Sequence, residues 1–234
     1  MKIGIMQPYF FPYIGYWQLM NAVDQYIIFD DVNFINRGWI HRNHILANGR
    51  VQNINLPMLG ASQNKRINEV MVNNEKKLID KNLRTLEMAY KKAPYYADVY
   101  PLIKQCFYCG KENIADYIEY SFRVICEYLK IRTSLLRSSE INKDDNLRGQ
   151  DKILNICKIL HADEYYNAIG GRDLYSFERF KENGVVLKFL KSGDVEYKQF
   201  QNEFYPNLSI IDIMMFNSPI KIQEMLLNYV LLDR

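Results

Sequence analysis

Residues 2–32 read KIGIMQPYFFPYIGYWQLMNAVDQYIIFDDV. The apolar run KIGIMQ, cut off by Pro8 and Pro12, predicts a buried strand, IGYWQLMNAV a short helix, and QYIIFDD a second strand. Strand, helix, strand at this spacing is a βαβ opening, which places the two strands side by side and parallel.

Outward from that unit the alternation resumes after Arg132. TSLLRSS predicts a strand, QDKILNICKIL a helix, EYYNAIG a strand, LYSFERFKENG a helix and VVLKFL a strand. Strands separated by helices of this length predict an α/β fold with a parallel sheet flanked by helices on both faces. RVQNINLP and INEVMV predict further strands or a hairpin around the polar turn GASQNK. Residues 74–130 change character: KKLIDKNLRTLEMAY carries Leu78, Leu83, Leu86 and Tyr90 near a helical repeat, and ADVYPLIKQCFY and IADYIEYSFRVICEYL continue it. FYPNLSIIDIMMF and IKIQEMLLNYVLL predict two closing helices. The expected organisation is one domain over residues 1–234, with 74–130 as a mainly helical insertion.

Composition narrows the class. Of 234 residues, 48% are apolar, enough for a sizeable core, and 30 basic against 27 acidic residues leave a net charge of +3. That balance lacks the electrostatic footprint of a general nucleic-acid binder. No apolar run approaches the roughly 18 residues of a membrane helix, and Gln7, Pro8 and Pro12 interrupt any secretory pattern, so a cytoplasmic protein is expected. Cys106 and Cys109 form a CxxC with no second ligand pair; with Cys126 and Cys157 they predict packed thiols.

In an open parallel sheet, ligands bind outside the carboxyl ends of the strands. Three segments fall there. In QPYFFPYIGY, Gln7 offers an amide, Tyr9, Tyr13 and Tyr16 offer aromatic faces, and Gly15 allows close approach at a helix start that favours anions. In FDDVNFINRGWIHRNHI, Arg37, Arg42 and Asn43 offer anion and amide recognition within one loop, while Asp30 and Asp31 are expected on opposite faces. His41 and His44 lack the HExxH context, and no metal is expected. In NAIGGRDLY, Gly170 and Gly171 end a strand and a helix is expected from Arg172 or Asp173, giving a second anion site.

QPYFFPYIGYWQLM, VDQYIIFDDVNFINRGWIHRN, AYKKAPYY, GGRDLY and FYPNLSIIDIM together resemble the bacterial WbqC-like family, in matching order along nearly the whole chain. The resemblance implies a role in O-antigen or other surface-polysaccharide biosynthesis and, for one suggested activity, glycine transfer; it brings no catalytic residues. The opening is also similar to the strand, loop and HxGH helix of HIGH-type nucleotidyltransferases, which implies a Rossmann-like fold of that kind. Tyr13-Ile14-Gly15-Tyr16 stands where that motif would, with tyrosines for both histidines.

The expected function is an aminoacyl transferase acting on the amine of a nucleotide-linked amino sugar, with glycyl as the group that the resemblance implies. Asp30 is the expected general base, with His41 second; Arg42, Asn43 or the Gly171 amide would polarise the acyl oxygen, and Arg37 and Arg172 would hold pyrophosphate. The acyl donor is an ATP-derived adenylate, a carrier thioester or, least in keeping with the modest charge, an aminoacyl-tRNA. The alternatives are an ATP-dependent nucleotidyltransferase or ligase, and a non-catalytic binding module of the same pathway.

Overall fold

The computed structural model describes residues 1–200 and 203–233. In chain order it contains β1 (Lys2–Met6), α1 (Ile14–Asn21), β2 (Gln25–Ile28), β3 (Arg42–Ala47), β4 (Arg50–Asn55), β5 (Met58–Leu59), β6 (Met71–Val72), α2 (Lys76–Tyr90), α3 (Tyr96–Phe107), α4 (Ile114–Leu129), β7 (Ser134–Arg137), α5 (Gly149–Ile159), β8 (Glu164–Ala168), α6 (Phe177–Glu182), β9 (Val186–Ser192), α7 (Ile210–Phe216), α8 (Pro219–Leu226) and β10 (Tyr229–Leu232).

Six strands form the central sheet in the order β10-β9-β8-β1-β2-β7. All neighbours are parallel except β10, which runs antiparallel along the β9 edge. The fold is therefore mixed α/β with a mostly parallel sheet flanked by helices. From β1 the chain steps to β2 and β7, then returns to the other side of β1 for β8 and β9. The connections after β1 and β8 consequently diverge, as they do at the switch point of doubly wound sheets.

Alternation along each strand sorts the core onto two faces. Ile3, Ile5, Ile27 and Tyr165 point to the side covered by Ile153, Ile156 and Cys157 of α5 and Phe180 of α6. Tyr26 and Ile28 point to the larger core, where Trp17 of α1 meets Leu83 and Leu86 of α2, Ile103 of α3, Phe122 of α4, Met214 of α7 and Ile222 of α8. The 74–130 helices thus pack into the same core as α1, α7 and α8. The buried positions of α2 and α4 recur at helical spacing, although the first of them in α2 is Ile79, with Leu78 only half-buried.

Three expectations require correction. The stretch read as one loop after QYIIF contains β3, which pairs antiparallel with β4, so Arg42 and Asn43 belong to a hairpin. IKIQEMLLNYVLL is not a single helix: α8 stops at Leu226, and Tyr229–Leu232 turns back against β9. No helix begins at Arg172 or Asp173; residues 169–174 form a 3₁₀ turn, and α6 begins at Phe177, capped by the Ser176 hydroxyl, which accepts from the Arg179 amide.

Candidate functional site

Pro8 and Pro12 leave the opening loop short of main-chain donors, and its carbonyls become anchoring points. The Asn43 amide donates to the Phe10 and Phe11 carbonyls at 3.0 and 2.8 Å. Phe11 adopts a left-handed φ of 42°, and its carbonyl also accepts the Ser209 hydroxyl at 2.7 Å. Ser209 N–H donates to His44 O at 2.8 Å, and Ile210 N–H to Pro12 O at 3.0 Å. The opening loop, β3 and the start of α7 are therefore fastened around one place.

That place is a pocket of 270 Å³ lined by Tyr9, Pro12, Tyr13, Trp39, Asn43 and Asn207. Three aromatic side chains and two amide side chains converge there. Burial raises the Tyr13 pKa, and burial followed by the proximity of Tyr13 raises that of Tyr9, so both phenols stay neutral donors at physiological pH. Arg42 holds the turn that presents Trp39. Its guanidinium donates to the carbonyls of Gly38 and Arg37 and lies 5.9 Å from the Trp39 ring centroid.

Asn207, with a left-handed φ of 56°, joins this pocket to a polar trough of 400 Å³ at the carboxyl end of β9. The exposed Asp194 and Glu196 line it. Its wall is tied down from beneath: Tyr197 Oη and Gln199 Nε2 donate to the buried Asp212 carboxylate at 2.7 and 3.0 Å, and Tyr90 Oη donates at 2.7 Å. Burial raises the Asp212 pKa, and the three donors oppose that shift. At the mouth, Gly193 passes so close to Asn228 that an added Cβ would lie 2.3 Å from its side-chain oxygen.

Among the residues singled out from sequence, Tyr9, Tyr13 and Asn43 share the pocket. Gln7 contributes its main-chain carbonyl to the Tyr16 hydroxyl at 2.8 Å, and Tyr16 is buried. Gly15 makes room for the Tyr13 ring, whose Cε2 would stand 2.5 Å from an added Cβ, and not for a ligand. Gly170, Gly171 and Arg172 do not line the pocket or the trough. The expected convergence of all three segments thus reduces to two.

The carboxylates are also arranged differently. The β2 strand ends at Ile28, so alternation no longer separates Asp30 from Asp31, and both contact the Ser138 hydroxyl. Asp30 has no solvent exposure; its carboxylate accepts the Ser139 amide at 3.0 Å and the Ser139 hydroxyl at 2.6 Å. Asp31 accepts Lys143 and Lys152 at 2.7 and 2.8 Å on the same oxygen. Burial alone would raise its pKa, but the two ammonium groups and Ser138 prevail and hold it at about 2. Lys143 is indistinguishable in sequence from a surface residue, whereas Lys152 stands beside Ile153 and Ile156 on the buried side of α5.

The His41 ring lies tilted against Phe34 with centroids 5.6 Å apart, and its Nδ1 has no hydrogen-bond partner among the described residues. Burial and then Arg42 lower its pKa, leaving the imidazole neutral. Among the described residues no three His, Cys, Asp or Glu side chains converge as a metal site. Cys106, Cys126 and Cys157 are buried and Cys109 is half-buried, with burial raising all four thiol pKa values. No helix among the described residues is long and apolar enough to cross a membrane.

Comparison with known proteins adds the following. The profile described as the WbqC-like protein family matches residues 7–224. A Mycobacterium tuberculosis (strain ATCC 25618 / H37Rv) protein, "Uncharacterized protein Rv1507c", is 27% identical over 216 residues, covering 91% of this chain and 92% of its own. No solved structure matches.

Proposed function

The chain belongs to the WbqC-like protein family, and on that premise we propose that it is a cytoplasmic aminoacyl transferase, joining an activated glycyl group to the amine of a nucleotide-linked amino sugar destined for a surface polysaccharide such as O-antigen. The observation that carries this reading is the continuity of the aromatic pocket with the carboxylate trough through Asn207. Aromatic faces with nearby amides suit a sugar ring or a base, and carboxylates suit the protons of an amine.

In the proposed step the neutral amine attacks the activated carboxyl carbon. The C–N bond forms, one amine proton passes to a carboxylate, and the carrier group departs with the electron pair of the broken bond. Asp194 and Glu196 are better placed for the proton than Asp30, whose carboxylate is enclosed by Ser139. The neutral amides of Asn207 and Asn43 border the same space, but the Asn43 amide hydrogens are already given to Phe10 and Phe11, so Asn207 is the available amide donor.

A second reading, an ATP-dependent nucleotidyltransferase or ligase, is favoured by the strand order, which reverses between β1 and β8 as in doubly wound nucleotide-binding sheets. Against it, Tyr16 replaces the second histidine and gives its hydroxyl to Gln7 O.

The test is turnover of amino-sugar nucleotides with glycyl adenylate or glycyl thioester, scored as amide product. Asp194→Asn and Glu196→Gln together are expected to lower kcat while leaving the substrate bound. Pyrophosphate release from ATP without amide product would establish the second reading. Binding without any turnover would leave a carbohydrate-binding module.

A further inference from the structure

A separate cavity of 330 Å³ opens at the carboxyl end of β2, beside the first turn of the eleven-residue helix α5. Its lining brings three cations, Arg66, Arg148 and Lys152, together with Asn33 and Gly149 around a single carboxylate, Asp31. That carboxylate is already committed, since Lys143 and Lys152 both donate to one of its oxygens. The Lys152 side chain is only 6% exposed, and enclosing an ammonium group this far is costly unless negative charge faces it.

The cations at the mouth have donors to spare. Arg66 forms no ion pair among the described residues. Arg148 is exposed and is steadied by donating to the carbonyls of Asp145 and Leu147, which holds its guanidinium near the opening. Gly149, with a left-handed φ of 53°, opens α5 and lines the cavity. Asp31 and Arg66 also line a neighbouring cavity on the Lys143 side, which the acidic residues Glu140 and Asp145 border.

We propose that this cavity binds a phosphoryl group, as a free diphosphate or as the diphosphate of a nucleotide. Two guanidinium forks at the rim and a buried ammonium at the floor match tetrahedral oxyanions, with Asn33 as a further donor. The assignment does not rest on the aminoacyl-transfer reading, because the aromatic pocket has different lining residues.

The test is calorimetric titration of the full chain with inorganic pyrophosphate, UDP and ADP at low salt, for the wild type and for Arg66→Ala, Arg148→Ala and Tyr13→Ala. Both arginines are exposed, so their removal is expected to leave the melting temperature unchanged. The wild type is expected to bind at least one of the three, with each arginine variant about tenfold weaker and Tyr13→Ala unchanged toward pyrophosphate. Tighter binding of UDP or ADP than pyrophosphate, weakened in both arginine variants and retained in Tyr13→Ala, assigns the site to a nucleotide; equal binding assigns it to diphosphate itself. Absence of binding by all three probes, or wild-type affinity in both arginine variants, overturns the assignment.

Discussion

The side-chain amide of Asn43 donates to the main-chain carbonyl of Phe11 at 2.8 Å, joining the first residues of β3 to the proline-rich loop after β1. Ser209 donates to the same carbonyl, so one left-handed residue organises three distant segments. Asn43→Ala removes two buried hydrogen bonds and leaves the Phe10 carbonyl without this donor. A loss of about 2–3 kcal/mol in denaturant unfolding is expected. A loss below about 0.5 kcal/mol would show that water replaces the amide and that the pocket is not fastened there.

Asp31 sets an acid limit on the fold. Its folded pKa of about 2 lies below the ordinary 3.8, so its contribution is present above the unfolded value and is lost as pH falls through about 2. The contribution is about 2 kcal/mol. Asp31→Asn leaves two enclosed ammonium groups without their carboxylate and is expected to cost about 3–5 kcal/mol at pH 7. It should also flatten the stability profile between pH 4 and pH 2; an unaltered slope there would mean that other carboxylates govern acid unfolding.

Tyr197 ties the trough wall to Asp212 through a charge-assisted hydrogen bond of 2.7 Å. Tyr197→Phe keeps the ring and removes the donor, with an expected cost of about 1.5–3 kcal/mol, read as a lower midpoint in urea at unchanged m-value. An unchanged midpoint would indicate that Tyr90 and Gln199 suffice to hold the carboxylate.

Thiol chemistry offers an independent check on the helical layer. Cys126 and Cys157 have pKa values pushed up to about 12, Cys106 is raised further, and all three are buried. Only the half-buried Cys109 should react with a thiol reagent at pH 8 in the native state, whereas all four should react after denaturation. Native labelling of two or more would contradict the packing of α3, α4 or α5, according to whether Cys106, Cys126 or Cys157 reacts.

The five parallel strands and the long helices were legible because their apolar residues follow clean periods, from KIGIM through VVLKFL. β3 was not: His41, Arg42, Asn43 and His44 look like a polar loop, and the hydrogen bonds from Asn43 that bury it lie in the third dimension. β10 was hidden because MLLNYVLL is apolar but for Asn228, a run in which helix and strand cannot be told apart by period. The aromatic half of the site could be read from the unusual opening loop. Asn207, Asp194 and Glu196 could not, since ordinary polar residues acquire a role only when the β9–α7 connection brings them beside that loop.

Binding of an amino-sugar nucleotide in the aromatic pocket is the claim on which the rest of the functional account stands. The direct measurement is the melting temperature of the wild type, Tyr13→Ala and Trp39→Ala with and without such nucleotides, because a ligand that prefers the folded state must raise it. The account predicts a shift in the wild type that shrinks in both variants while their ligand-free melting temperatures stay close to the wild type. A wild-type chain with no shift for any sugar nucleotide, or a shift that survives intact in both variants, would contradict it.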